Sequence, residues 1–231
     1  MERQSIPETV RGTLEKAFVW DLKQMEYGRA LALMREIHTQ RVRDEISDVL
    51  LLVEHPPVLT LGKSGNPAHL LISEKDLMVR GIRLFHIERG GDITYHGPGQ
   101  LVVYPIFRIG KGLVGVRPFV NGLEEAVILA LDRYGIGAER RQGLTGVWVG
   151  ERKICAIGVA FKRWVTMHGF ALNVSTDLDA FDLIVPCGIR NAGVTSMERE
   201  LGWAPEMEEV KRLMVETMGQ VFHKEFEHRQ P

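Results

Sequence analysis

The chain has 231 residues, 45% hydrophobic and 26% charged, with a formal net charge of −1. This is the make-up of a soluble globular protein with ample length for a core, and it argues against a general nucleic-acid electrostatic footprint, though a local patch stays open. No apolar run approaches the ~18 residues of a membrane span and no apolar signal core follows Met1, so the expected compartment is the cytoplasm.

Only Cys155 and Cys187 occur, too few for a disulfide framework, and neither lies in a Cys-x-x-Cys pair. No metal site is expected, because His86-x-Glu88 lacks a metal-binding spacing and the other histidines are scattered.

Residues 1–17, polar and carrying Pro7 and Gly12, read as an irregular arm ahead of one domain over 18–231. Ala30, Leu31, Met34, Ile37 and His38 recur at helical spacing within 27–45. Val49 to Val53 reads as a buried strand stopped by Pro56-Pro57, with Val58 to Leu61 as its partner. Ile82–Ile87 and Leu101–Ile106 read as strands flanking a glycine-rich loop. A second helix follows Pro118 and ends near Gly135, then strands crowd together at 146–149, 154–161 and 165–174. Residues 206–227 return to helical period. Helices at each end and in the middle, with strands between, define an α/β (α+β) fold with a mixed sheet flanked by helices.

The loop from Arg89 to Gln100 carries four glycines and a proline together with Arg, Asp, Thr, Tyr, His and Gln. Glycine permits close approach of backbone to ligand and leaves N–H groups free to cradle oxygens, so the segment reads as a binding loop. Asp92 within it reads as a solvated turn residue. Cys187, between Pro186 and Gly188, is either a nucleophile on a turn beside an unencumbered N–H or a packed small hydrophobe. A nucleophilic thiol needs help to ionise: Lys153 can supply an ammonium, or His96 or His168 can accept the proton. Strand alternation puts Lys153 and Cys155 on one face, opposite Ile154.

Arg-Gly-Gly-x-x-Thr-Tyr-His-x-x-Gly-Gln-x-Val-x-Tyr over 89–104 resembles the signature of the lipoyl(octanoyl) transferases. The resemblance runs from about Tyr27 to Met197. It takes in His55-Pro-Pro-Val-Leu-Thr-Leu-Gly62, His69-Leu-Leu71, Gly146-Val-Trp148, Lys153-Ile-x-Ala-Ile-Gly158, His168-Gly-x-Ala-Leu-Asn-Val174, Pro186-Cys-Gly-Ile189 and Val194-Thr-Ser196, in order. Cys155 departs from it, standing where a small residue such as alanine is expected.

The resemblance implies a fold similar to the biotin protein ligase and lipoate ligase catalytic domains. It implies octanoyl transfer from the phosphopantetheine thiol of acyl carrier protein to a lysine of a lipoyl domain, in 2-oxoacid dehydrogenase complexes or the glycine cleavage H protein. Cys187 would carry the acyl group and Lys153 would lower its pKa. Substrate contacts would come from Arg89, Gly90, Gly91, Asp92, Ile93, Thr94, Tyr95 and His96, from Ala156, Ile157 and Gly158, and from His168, Gly169, Phe170 and Ala171. Ile157, Phe170 and Leu172 are candidates for an acyl slot, and equally for an ordinary core. Exposed Lys162 and Arg163 are candidates to dock an acidic carrier. No ATP or metal is expected, nor nucleic acid or membrane, and nothing demands more than a monomer. The base for the second step is left between Lys153 and His168. The competing readings are an ATP-dependent lipoate or biotin ligase, and an acyl-binding module with an inert thiol.

Overall fold

The computed structural model describes residues 14–110, 115–185 and 193–230. Glu15–Gln24 (β1) leads to helix Tyr27–Val42 (α1), then to Val49–Glu54 (β2) and Val58–Leu61 (β3). Glu74–Val79 (α2) and Arg83–His86 (β4) precede Ile93–His96 (β5) and Gln100–Ile106 (β6). Val116–Asp132 (α3) is followed by Glu139–Arg141 (β7), Leu144–Val149 (β8), Arg152–Lys162 (β9) and Val165–Asn173 (β10). Gly193–Val194 (β11), Met197–Leu201 (α4), Met207–Phe222 (α5) and Lys224–His228 (β12) complete the order.

Among the described residues the large sheet runs β12-β1-β2-β6-β10-β9-β8-β7, with β11 beside β9, and a small sheet runs β4-β3-β5. β1 pairs in parallel with both β2 and β12, whereas β2, β6, β10, β9, β8 and β7 join antiparallel. The fold is the mixed sheet with flanking helices that the sequence predicts.

β2 and β6 are continuous apolar runs because both their faces are covered. Leu50, Leu52, Leu101 and Val103 join Phe119, Leu123 and Val127 of α3 and Met214 and Met218 of α5 in one core. Val49, Leu51, Val53, Val102 and Tyr104 pack with Leu31, Met34 and Ile37 of α1 in the other. A third cluster, Leu59, Leu61, Ile93 and Tyr95 with Leu77 and Phe181, backs the small sheet.

Four expectations change. β1 begins at Glu15, inside the stretch read as an irregular arm, and Ala17 is fully buried in it; residues 1–13 lie outside the described residues. β3 is not the partner of β2, whose two edges are taken by β1 and β6; beyond Pro56-Pro57 the chain leaves for the small sheet. The glycine-rich loop contains a buried strand, β5. Helix α5 stops at Phe222, where His223 adopts a left-handed conformation (φ 53°), and 224–228 form a strand against β1.

Where β10 crosses β6, Gly169 is required by contact. A Cβ there would collide with the Val103 carbonyl oxygen and lie 2.7 Å from Pro105 Cδ, both on β6 at the centre of the sheet. Neither neighbour can yield without opening the ladder. Gly169→Ala is expected to cost about 3 kcal/mol or more. That lowers Tm by roughly 6–12 °C for a chain of this size, measurable by calorimetry; an unchanged Tm would show that the strands can part there.

Candidate active site

A cavity of about 470 Å³ opens between the two sheets. Arg89, Gly91, Asp92, Ile93, Thr94 and His96 line it from the segment containing β5. Lys153, Ala156, Ile157 and Gly158 line it from β9, and His168, Gly169, Phe170 and Ala171 from β10. Gly158 lets these two groups approach, since a Cβ there would lie 2.9 Å from both Arg89 Cδ and the Gly90 carbonyl oxygen.

Three expected residues do not line the cavity. Gly90 is a tie: its N–H donates to the Val159 carbonyl (2.9 Å) and its own carbonyl accepts from Arg89 (3.0 Å). Tyr95 takes the face of β5 opposite Thr94 and His96, and its ring meets Phe181 edge-on at 5.6 Å in the third cluster. Leu172 is part of the helix-covered core.

Sequence reasoning gave no binding role to Tyr27, Ser64, His69, Val102, Tyr104 and 143–145, which also line the cavity. His69 and Tyr104 stand within the motifs that carry the family resemblance, a usable signal, whereas Ser64 belongs to none of them and Tyr27 only marks where the resemblance begins.

A directional chain of buried hydrogen bonds fixes the roof. Arg89 Nη2 donates to the Thr60 carbonyl (2.8 Å) and hydroxyl (2.9 Å), and Thr60 Oγ1 stands 3.5 Å from His96 Nε2. Gln100 Nε2 donates to Asn173 Oδ1 (2.8 Å), so Gln100 Oε1 faces His96 Nδ1 at 2.7 Å as an acceptor. His96 therefore carries its proton on Nδ1, and Nε2 is left to accept from Thr60. Burial, with neighbouring His55 adding to it, pushes the His96 pKa down to about 3. His96 is a neutral structural link, contrary to the expectation that it can take a proton. His55 behaves alike, held between the Met25 carbonyl (2.7 Å) and Tyr104 hydroxyl (2.8 Å), with burial pushing it down to about 4.

His168 is 1% exposed and sits in left-handed backbone (φ 61°), which costs a non-glycine residue about 1–2 kcal/mol. Its Nε2 is 3.7 Å from the Glu88 carboxylate, which Arg35 clasps at 3.0 and 3.1 Å. His168 and Arg35 hold the Glu88 carboxyl well below the usual range. Burial lowers His168 despite that partner.

Lys153 is 8% exposed, with Nζ 4.8 Å from the centre of the Trp148 ring. The expectation that Cys155 shares its face fails, because the register of β9 against β8 slips between Val147 and Trp148. Ile154 and Cys155 both enter the helix-covered core while Lys153 lines the cavity. Burial pushes the Cys155 thiol up, which fits an inert space-filling residue. Asp92 is no solvated turn residue. Its carboxylate accepts from the N–H groups of Asn66 (3.0 Å) and Ile93 (2.8 Å) and pairs with His69 Nδ1.

Pro186, Cys187 and Gly188 lie outside the described residues, but the chain on each side of them is anchored at the cavity. Val185 N–H donates to the His69 carbonyl (2.8 Å), and Leu71 N–H to that of Leu183 (2.9 Å). On the far side Val194 of β11 pairs with Lys153, and Thr195 N–H donates to the Lys153 carbonyl (3.0 Å).

The fold is shared with solved ligases. Lipoate-protein ligase A bound with ATP superposes with a TM-score of 0.74 over 94% of this chain and 89% of that one, at 16% identity. The biotin protein ligase of Aquifex aeolicus gives 0.51 over 90% and 69%, at 12% identity. These likenesses define the fold class. The chain belongs to the lipoyl protein ligase A/B catalytic domain family, whose model matches residues 26–219. Within the family it resembles proteins named octanoyltransferase. That of Caldicellulosiruptor saccharolyticus is 48% identical over 89% of this chain and 88% of its own length, and that of Chloroflexus aurantiacus 50% over 87% and 92%. The chain is an acyltransferase. Among the described residues no helix is long and apolar enough to cross a membrane.

Proposed function

We propose that the chain moves an octanoyl group from octanoyl-acyl carrier protein to the ε-amine of a lipoyl-domain lysine, through a thioester on Cys187 and without ATP. The observation that carries this reading is the anchoring of the two ends of the Cys187 segment, one on His69 and the other on Lys153, at a single cavity. Relatives named octanoyltransferase, alike over nearly nine tenths of the chain, support the acyl group.

Lys153, an ammonium at the cavity wall, favours the thiolate, since a free thiol with pKa ~8.5 is mostly protonated at neutral pH. The thiolate attacks the thioester carbonyl, and the tetrahedral oxyanion collapses to release the carrier thiol. Exchange of one thioester for another is near thermoneutral, and forming an amide from it is downhill, so no nucleotide is needed. Apolar Ile157, Phe170 and Val102 give the chain a dry wall. Each methylene buried there is worth roughly 0.8 kcal/mol, which lets cavity depth select acyl length.

The test is intact mass after mixing the protein with octanoyl-acyl carrier protein and no ATP. The expected result is one octanoyl adduct, retained in Cys155→Ala, absent in Cys187→Ala, and passed to a lipoyl-domain lysine. Product without any adduct would replace the thioester by direct transfer. Product only with ATP and free octanoate would make the chain a ligase.

A further inference from the structure

Amide formation removes two protons from the acceptor ammonium. One is lost to water before reaction; the second must leave nitrogen as the carbon–nitrogen bond forms. A base within reach of the cavity is therefore required. Of the histidines around it, His96 has both ring nitrogens committed, Nδ1 to Gln100 and Nε2 to Thr60. His168 is 1% exposed, and its Nε2, without a hydrogen-bond partner among the described residues, lies 3.7 Å from the Glu88 carboxylate, away from solvent. On the reading above Lys153 serves the first half-reaction as a cation; it is the rival base that unchanged transfer in His69→Gln would favour.

His69 differs from all of these. It lines the cavity, its side chain is 23% exposed, and its Nδ1 is paired with the Asp92 carboxylate. Asp92 is itself fixed, accepting from the Asn66 and Ile93 N–H groups, and 12% of its side chain is exposed. A carboxylate on Nδ1 holds that proton in place, which leaves the lone pair of the neutral ring on Nε2. The ring is borne by a short 3-10 turn, Pro67–His69, capped by the Asn66 side chain. That turn is bonded through the His69 carbonyl to Val185, two residues ahead of Cys187 in the chain.

Building on the octanoyl-transfer reading above, we propose that His69, oriented by Asp92, is the general base of the aminolysis half-reaction. The neutral lysine amine attacks the thioester carbonyl and a C–N bond forms as His69 Nε2 takes the proton from nitrogen. The tetrahedral intermediate then collapses, the C–S bond breaks, and the electron pair leaves on sulfur. The proton held by His69 passes to that thiolate or to water, which restores the neutral ring.

The experiment separates the two half-reactions by rapid quench, reading the octanoyl adduct first and its transfer to a lipoyl domain second. For His69→Gln, transfer is expected to fall by about 10²-fold or more and acylation far less. Asp92→Asn should slow transfer in the same selective way, by roughly 10-fold or more, since it loosens the ring without removing it. In His69→Ala, added imidazole should restore part of the transfer rate and leave acylation unmoved, which a merely structural role would not produce. Equal slowing of both halves, or unchanged transfer, would overturn the assignment. Failure of the parent reading would show in the wild type itself, as no adduct at all.

Discussion

Between about pH 6.5 and pH 4 the protein is expected to lose several kcal/mol of folding stability, most of it through two buried histidines. His55 and His96 are pushed down to about 4 and about 3 by burial, while in the unfolded chain both titrate near 6.5. Below 6.5 the unfolded state therefore binds protons that the folded state refuses. Their contribution is complete above 6.5 and is withdrawn as pH falls toward the folded values. At about 1.4 kcal/mol per unit, His55 is worth on the order of 3 kcal/mol and His96 on the order of 5 kcal/mol, a large part of the 5–15 kcal/mol typical of a domain. Glu88, held low by His168 and Arg35, adds loss of the same sign below the ordinary carboxylate range. Burial is the main cause, and hydrogen bonding adds to it: protonating His55 sets its Nε2 proton against the Tyr104 hydroxyl, and protonating His96 does the same against Thr60. Urea unfolding at a series of pH values measures the effect; a flat profile from 8 to 4 would show that the two rings can be protonated in place.

Replacing Lys153 by methionine keeps the aliphatic length against Trp148 and removes the cation. Acyl transfer is expected to fall by about 10²–10⁴-fold, the usual worth of an activating group beside a nucleophile. The rate of Cys187 alkylation by iodoacetamide at neutral pH should fall with it, because less of the thiol is ionised. Cys155 stays silent in this assay, being fully buried in the core. Unchanged alkylation together with lost transfer would move Lys153 from activating the thiol to holding the substrate.

The chemistry was more legible in the sequence than the pairing. Arg89 and Thr94 are legible because polar groups set among glycines leave few bland alternatives, whereas Lys153 and Gly158 are legible only through the family resemblance; all four line the cavity. β2 and β6 were legible because doubly covered strands have no polar face to interrupt them. Which strand pairs with which depends on the edges already occupied, and local sequence does not record this, so β3 was assigned to the wrong neighbour. Phe222 and Phe226 lie four residues apart and mimic a helical stripe across the end of α5, although Phe226 packs on Phe107 from a strand. The slip between β8 and β9 is invisible to a period of two, yet it alone turns Cys155 away from Lys153. Tyr95 was counted as ligand-facing with the whole 89–96 run, although a period of two already turns it away from Thr94 and His96.

β12 and β7, the outer strands in the order of the large sheet, are also short and ionic. Lys224-Glu-Phe-Glu-His228 bounds one side, where Glu227 pairs with Lys16 at 3.0 Å, and Glu139-Arg-Arg141 bounds the other, where Arg140 reaches Glu124 and Glu125. A foreign strand adding itself to either rim would have to desolvate those charges for few backbone bonds in return. The apolar centre is thus walled off from other molecules by its own margins. Edge-to-edge growth of a sheet built on leucine and valine is thereby disfavoured at both rims, apart from the encounters its cavity is made for.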